Sequence, residues 1–136
     1  MVKAKQKGTS AERELIHMFW KENIAAARIA GSGSMKLPLP DLIAGKNNKI
    51  VAIECKITKF NSVYLSEKEV YELEKFSMIM GAMPIVAVKI NKKGWFFMHT
   101  NSLTKTDKAY VFNMNNISEG KNTLNFEKIV SFLKDT

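Results

Sequence analysis

The 136-residue sequence is almost devoid of cysteine: Cys55 stands alone, so no internal disulfide can form. A lone thiol predicts an intracellular protein. Long apolar runs are also missing. The least polar stretch, residues 77–88, is broken by Gly81 and Pro84 and falls short of the roughly 20 residues a membrane helix needs. The basic N-terminus is not followed by an apolar segment of signal-peptide type. No repeat of 20–50 residues is visible, and the short Gly31–Ser34 loop is the only low-complexity block. There is no G-x-x-x-x-G-K-[ST] loop, which argues against a nucleotide cofactor. His17 and His99 have no partners at metal-ligand spacing, so zinc chemistry has no support. Cysteine nucleophilic catalysis has none either.

Acidic residues are scarce as well. Thirteen Asp and Glu face 21 Lys and Arg, a net charge of +8. Most of the surplus lies in residues 1–60, where eleven basic side chains meet five acidic ones. A one-sided basic excess binds polyanions, because each neutralised phosphate releases condensed counterions. It is also compatible with ordinary solvated surface charge. Length and an apolar fraction of 46% fit one soluble domain spanning residues 1–136.

Residues 1–8 read as a flexible basic arm. Thr9 or Ser10 then caps a helix to about Asn23, with Ala11, Leu15, Met18 and Phe19 along one stripe. Ala25–Ala30 reads as a strand. Asp41–Ala44 and Lys49–Ile57 form two more, joined through Gly45-Lys46-Asn47-Asn48. Ser66 and Glu69 signal a capping box, and Gly81 a stop, for a second helix. A hairpin over 84–99, a strand at Tyr110–Met114 and an amphipathic C-terminal helix follow. This order predicts an α/β fold, a mixed sheet flanked by helices.

Side chains alternate faces along a strand. Leu42, Ala44, Val51, Ile53, Cys55 and Ile57 make one apolar face; Asp41, Ile43, Ala52, Glu54 and Lys56 lie on the other. With residues 46–49 as a four-residue loop, Gly45 faces Ile50, Ala44 faces Val51 and Asp41 faces Glu54. Opposed carboxylates are destabilising unless compensated, and a hard divalent cation such as Mg²⁺ compensates them. Lys56, one step further on, is placed to stabilise charge at an attacked phosphorus. The competing reading is a turn aspartate and a solvated Glu–Lys pair.

Pro40-Asp41…Glu54-Cys55-Lys56 resembles the signature of the PD-(D/E)xK nuclease superfamily. Lys7-Gly8-Thr9-Ser10-Ala11-Glu12-Arg13, Arg28-Ile29-Ala30-Gly31-Ser32-Gly33-Ser34, Pro38-Leu39-Pro40-Asp41 and Ile53-Glu54-Cys55-Lys56 occur in order. Together they resemble the archaeal Holliday junction resolvases. The resemblance implies a restriction-endonuclease-like mixed central β-sheet. It also implies a homodimer that resolves four-way junction DNA by paired, metal-dependent nicks in recombination and repair. Mg²⁺ is the implied cofactor, with Mn²⁺ as substitute, and the products carry 5′-phosphate and 3′-hydroxyl ends. The setting is cytoplasmic and nucleoid-associated, without a membrane.

Carried onto this sequence, Glu12, Asp41 and Glu54 are the implied metal ligands, Lys56 the catalytic lysine and Ser32 a catalytic loop residue. Lys7, Arg13, Arg28, Ser32, Lys36 and Lys59 are the implied DNA contacts. Glu12 also reads as the closing residue of a capping box, Gly31–Ser34 as a plain linker, and each basic residue as solvated charge. Glu69 reads better as a capping residue than as part of the site. The cluster of Met78, Met80 and Met83 and the run Trp95-Phe96-Phe97 read as core or dimer contact. Two other functions remain open: a nuclease of this superfamily acting on restriction-like or flap substrates, and a non-catalytic DNA-binding dimer.

Overall fold

The computed structural model describes residues 4–30, 36–114 and 124–135. Helix α1 (Ala4–Lys21) leads into the short strand β1 (Ala25–Arg28), and the hairpin β2 (Leu42–Lys46)–β3 (Lys49–Thr58) follows. Next come β4 (Ser62–Ser66), α2 (Glu67–Met80), the hairpin β5 (Met83–Ile90)–β6 (Gly94–His99) and a 3-10 turn at Thr100–Ser102. Strands β7 (Thr104–Lys105) and β8 (Ala109–Asn113) precede helix α3 (Phe126–Lys134). Five strands form the central sheet in the order β1-β2-β3-β5-β6, antiparallel except for the parallel β3–β5 pair. Helix α2 makes that crossover. A second, antiparallel sheet, β4-β8-β7, was not anticipated beyond β8.

The register of the central hairpin is the one hydrophobic alternation demands: Leu42 faces Ile53, Ile43 faces Ala52 and Ala44 faces Val51. The expected four-residue loop is instead a two-residue turn. Lys46 pairs with Lys49, and Asn47 and Asn48 take φ of 54° and 69°. Asparagine tolerates this left-handed region, and two successive positive φ values match the twist of the flanking strands.

Each face of the central sheet buries its own core. Leu42, Ala44, Val51, Ile53, Ile85 and Phe97 pack against Leu15 and Phe19 of α1 and Ile129 and Leu133 of α3. Ala52, Val86, Val88 and Met98 pack against Val70 and Leu73 of α2 and Leu65 and Phe112 of the second sheet. The strand face carrying Glu54 and Lys56 is therefore buried for most of its length. It becomes polar only where β3 runs past the start of β2. Phe97 belongs to the first core with Trp95 stacked on it, and Met83 packs there too. Met78 and Met80 are exposed.

The first helix corrects the reading of the N-terminus. It begins at Ala4, inside the segment expected to be a flexible arm, and continues through Thr9–Glu12. Glu12 lies more than two turns into the helix, where it cannot close a helix start. The capping reading of Glu12 falls with that. The capping box at α2 is present as expected: the Glu69 N–H donates to Ser66 Oγ at 3.0 Å, and the Ser66 N–H donates to Glu69 Oε1 at 3.0 Å. Gly81 ends the helix at φ 78°, a conformation glycine adopts without strain.

Candidate active site

Asp41 sits just before β2 and is clamped by the backbone. Its N–H donates to the Ile53 carbonyl at 3.1 Å, and its carbonyl accepts from the Ile29 N–H at 2.9 Å. Its carboxylate oxygen Oδ2 accepts from the Cys55 N–H at 2.8 Å. The paired register ends at Leu42–Ile53, and just beyond it the Asp41 and Glu54 carboxyl groups come close enough to hydrogen-bond. Burial, the Asp41 charge and that hydrogen bond push Glu54 up to about 9, against the smaller opposing effect of Lys56. Cys55 lies against the first core and is free. Burial pushes its thiol up, and Asp41, Glu12 and Glu54 add to the effect, so a thiolate nucleophile is disfavoured.

Glu12 approaches from α1 and is mostly buried, with 13% of its side chain exposed. Burial and the Asp41 charge raise its pKa, and Arg28 acts in the opposite direction. Arg28 Nε lies 3.4 Å from Glu12 Oε2, so this candidate DNA contact already holds a carboxylate. Lys56 pairs with Glu69. Burial alone would lower the Lys56 pKa, but Glu69, Glu54 and Asp41 outweigh it and hold the ammonium above its usual range. For Glu69, burial is outweighed by Lys56 and by the Ser66 backbone and hydroxyl, which keep the carboxylate ionised.

Sequence reasoning therefore missed Glu69 as a member of the site. The capping box that explained it is real, but one carboxylate oxygen caps while the other meets Lys56. Glu72, one turn on, was also missed. It lines a cleft of about 240 Å³ with Leu39, Pro40, Asp41, Glu54, Glu69 and Leu73. A larger open depression of about 910 Å³ lies over α3 and includes Glu22, Phe126 and Asp135. It gathers no comparable constellation, so chemistry rather than volume marks the site.

The remaining candidates separate by position. Arg13 is exposed on α1, and Lys36 and Lys59 are exposed in the loops before β2 and after β3. Ser32 and the Lys7 side chain lie outside the described residues. His99 caps the 3-10 turn by accepting the Asn101 N–H at 3.1 Å, a structural role.

The donor set suits a hard cation. Two carboxylates are held together at a cost that a cation would remove, and Mg²⁺ is commonly bound by one or two carboxylates plus phosphate and water. Among the described residues no group of three or more His, Cys, Asp and Glu is assembled to hold a metal. The ready-made pair is Asp41 and Glu54, with Glu12 acting on it electrostatically.

Known proteins resemble the chain in both sequence and fold. The family model described as archaeal Holliday junction resolvase (Hjc) matches residues 3–136. The crossover junction endodeoxyribonuclease Hjc of Archaeoglobus fulgidus is 42% identical over 106 residues, 78% of each chain. Hje of Saccharolobus islandicus is 44% identical over 87 residues, covering 62% of this chain and 64% of that one. The structure of A. fulgidus Hjc, a Holliday junction resolvase from an archaeal hyperthermophile, matches with a TM-score of 0.83 and 33% identity. That match covers 90% of this chain and 99% of that chain. Fold and sequence thus converge, and the chain belongs to the archaeal Holliday junction resolvase (Hjc) family.

Proposed function

We propose that this protein is a divalent-metal-dependent endodeoxyribonuclease that resolves four-way DNA junctions. The observation that carries the reading is the Asp41–Glu54 pair, held in contact on an apolar-backed hairpin with Lys56 beside it. Asp41 and Glu54 would hold Mg²⁺, or Mn²⁺ in its place, with Glu12 as an outer acidic contributor. A cation bound there supplies Lewis-acid polarisation of the phosphate and lowers the pKa of an attacking water.

The chain's own residues supply the rest. The Cys55 N–H fixes the orientation of Asp41. Lys56 brings positive charge to the phosphate as negative charge develops on it. Glu69 holds Lys56 ionised and in place. Arg13, Lys36 and Lys59 supply phosphate contacts from exposed positions, Lys7 adds another, and Ser32 takes part in cleavage. Arg28, half exposed and paired to Glu12 through Nε, can contact phosphate with its other guanidinium donors.

A homodimer fits this activity, since two-fold symmetry presents two sites to a junction of matching symmetry. The outer face of α2 supports it, exposing Tyr71, Met78 and Ile79 together. Such an enzyme works on DNA in the cytoplasm, at the nucleoid. Among the described residues no helix is long and apolar enough to cross a membrane.

The test incubates the protein with a labelled four-way junction and its matched linear duplex, in Mg²⁺ or in EDTA. Paired symmetric nicks in the junction alone, abolished by EDTA, are expected. Equal cleavage of both substrates would keep the nuclease and discard junction specificity. Binding without cleavage in either Mg²⁺ or Mn²⁺ would overturn the catalytic reading.

A further inference from the structure

Strand β3 does not end at the catalytic residues. It runs two residues past Lys56 to Thr58, paired there with Ile90, the last residue of β5. The chain then makes two adjoining loops, 59–61 after β3 and 91–93 after β5, and hydrogen bonds tie them together. The Asn91 N–H donates to the Thr58 carbonyl at 2.9 Å, and Lys93 Nζ donates to Asn61 Oδ1 at 3.2 Å. Asn61 is anchored in turn, its carbonyl accepting the Met114 N–H at 2.8 Å. Lys92 is held at φ 67°. The result is a braced knuckle about 10 Å beyond Lys56, given the ~3.3 Å rise per strand residue.

Its chemistry differs from that of the surface around it. Lys59, Lys92 and Lys93 are all exposed, and none has a carboxylate within ion-pairing distance among the described residues. Lys89, a few residues away on β5, is by contrast neutralised by Glu14 at 2.8 Å. Next to Lys59 stands Phe60, 65% exposed, with Lys59 Nζ 5.5 Å from its ring centroid. An exposed aromatic ring among unpaired cations is a stacking surface inside a phosphate-binding surface. A protein core has no use for either.

We propose that this knuckle is a second DNA contact of the enzyme. Lys92 and Lys93 of the β5–β6 turn grip backbone phosphates of the arm that passes over the end of β3. Phe60 stacks on a base left exposed where the arms of a junction part. The lysines then add affinity for any DNA arm, and Phe60 adds preference for branched DNA, since the bases of a linear duplex are stacked on both sides. The inference rests on the junction-resolving reading above and assigns part of its substrate recognition to residues remote from the carboxylates.

The test measures binding of the full chain to a four-way junction and to linear duplex in EDTA, as a function of salt, with melting temperature as the folding control. For K92Q/K93Q, affinity for both DNAs should fall about tenfold, and the slope of log affinity against log salt should drop by about 1.8, two phosphates at ~0.9 each. K92R/K93R should restore both. For Phe60→Ala, junction affinity should fall several-fold while duplex affinity and the salt slope stay unchanged. Unchanged affinity and slope in K92Q/K93Q, with a normal melting temperature, would overturn the phosphate contact. An equal loss on both DNAs, or none, in Phe60→Ala would overturn the stacking role. If the unmutated protein bound junction no better than duplex, the junction-resolving reading would fail first. That result is distinguishable, because it precedes any substitution.

Discussion

The β2–β3 hairpin carries two pairs of like charges, one near each end, and the fold treats them oppositely. At the turn, Lys46 and Lys49 are direct register partners. They part: Lys46 donates to the Asn23 carbonyl at 3.0 Å, while Lys49 turns to Asp135 at 4.0 Å and lies over Phe132. At the other end, Asp41 and Glu54 meet just beyond the last register pair, Leu42–Ile53, and do not part. The Cys55 N–H pins one, and burial, with the Asp41 charge added to it, pushes the other up to about 9. Two like charges with exits cost little. Two like charges denied their exits are a site waiting for a counter-charge, and strain of that kind belongs where chemistry is done.

The largest expected consequence of this difference concerns catalysis. Glu54→Gln keeps the shape and removes the charge. Single-turnover cleavage of a four-way junction in Mg²⁺ should fall about a thousandfold or more, while junction affinity in EDTA stays within a few-fold. Retained cleavage would mean that the strained pair has another purpose.

The second consequence concerns stability and should run against activity. In EDTA, Asp41→Asn removes the repulsion while its side-chain oxygen can still accept the Cys55 N–H. Above the Glu54 value of about 9 both carboxylates are ionised, and at pH 9.5 the variant's melting temperature should exceed that of the unmutated protein by about 3–5 °C, the shift expected for ~1 kcal/mol in a domain of this size. The pH profile sharpens this. Glu54 binds its proton more tightly folded than unfolded, because its folded value of about 9 lies above the ordinary carboxylate range. The metal-free fold is therefore most stable below about pH 4.5 with respect to this group, and loses that contribution as pH rises toward 9. Asp41→Asn should flatten the loss, which thermal melts at several pH values will show.

The smallest effect belongs to the turn. Lys46→Ala removes the partner of a pair that has already separated, so stability should change by less than ~0.5 kcal/mol and cleavage not at all. A large gain there would show that the two ends of the hairpin do not differ in the way described.

Much of this was legible in the residue order. The alternation of Leu42, Ala44, Val51 and Ile53 admits one register only, since a one-residue slip would turn the whole apolar set to the wrong face. That register brings Asp41 near Glu54, and the bonds of Asp41 to Ile53, Ile29 and Cys55 finish the placement. Ser66 and Glu69 announced the start of α2 through a local hydrogen-bond pattern. The errors share a cause. The start of α1 was set at Thr9 or Ser10 because Thr-Ser-Ala-Glu is a capping signal, yet nothing in a capping signal prevents a helix from running through it. The second sheet went partly unseen because β7 has two residues and β4 directly abuts a helix. Neither is long enough to show a period.

What the sequence determined by itself was the set of local and periodic facts: the hairpin, its register, the second helix with its caps, and the opposed carboxylates. These depend on neighbours along the chain or on strict alternation. Only the tertiary structure decided that Glu69 meets Lys56, that Glu12 reaches Asp41 and Arg28, and that the loops after β3 and β5 join beyond the end of β3. Those contacts lie between elements far apart in sequence. Their geometry is set by how α1 and α2 pack on opposite faces of the sheet, which no short stretch of residues encodes.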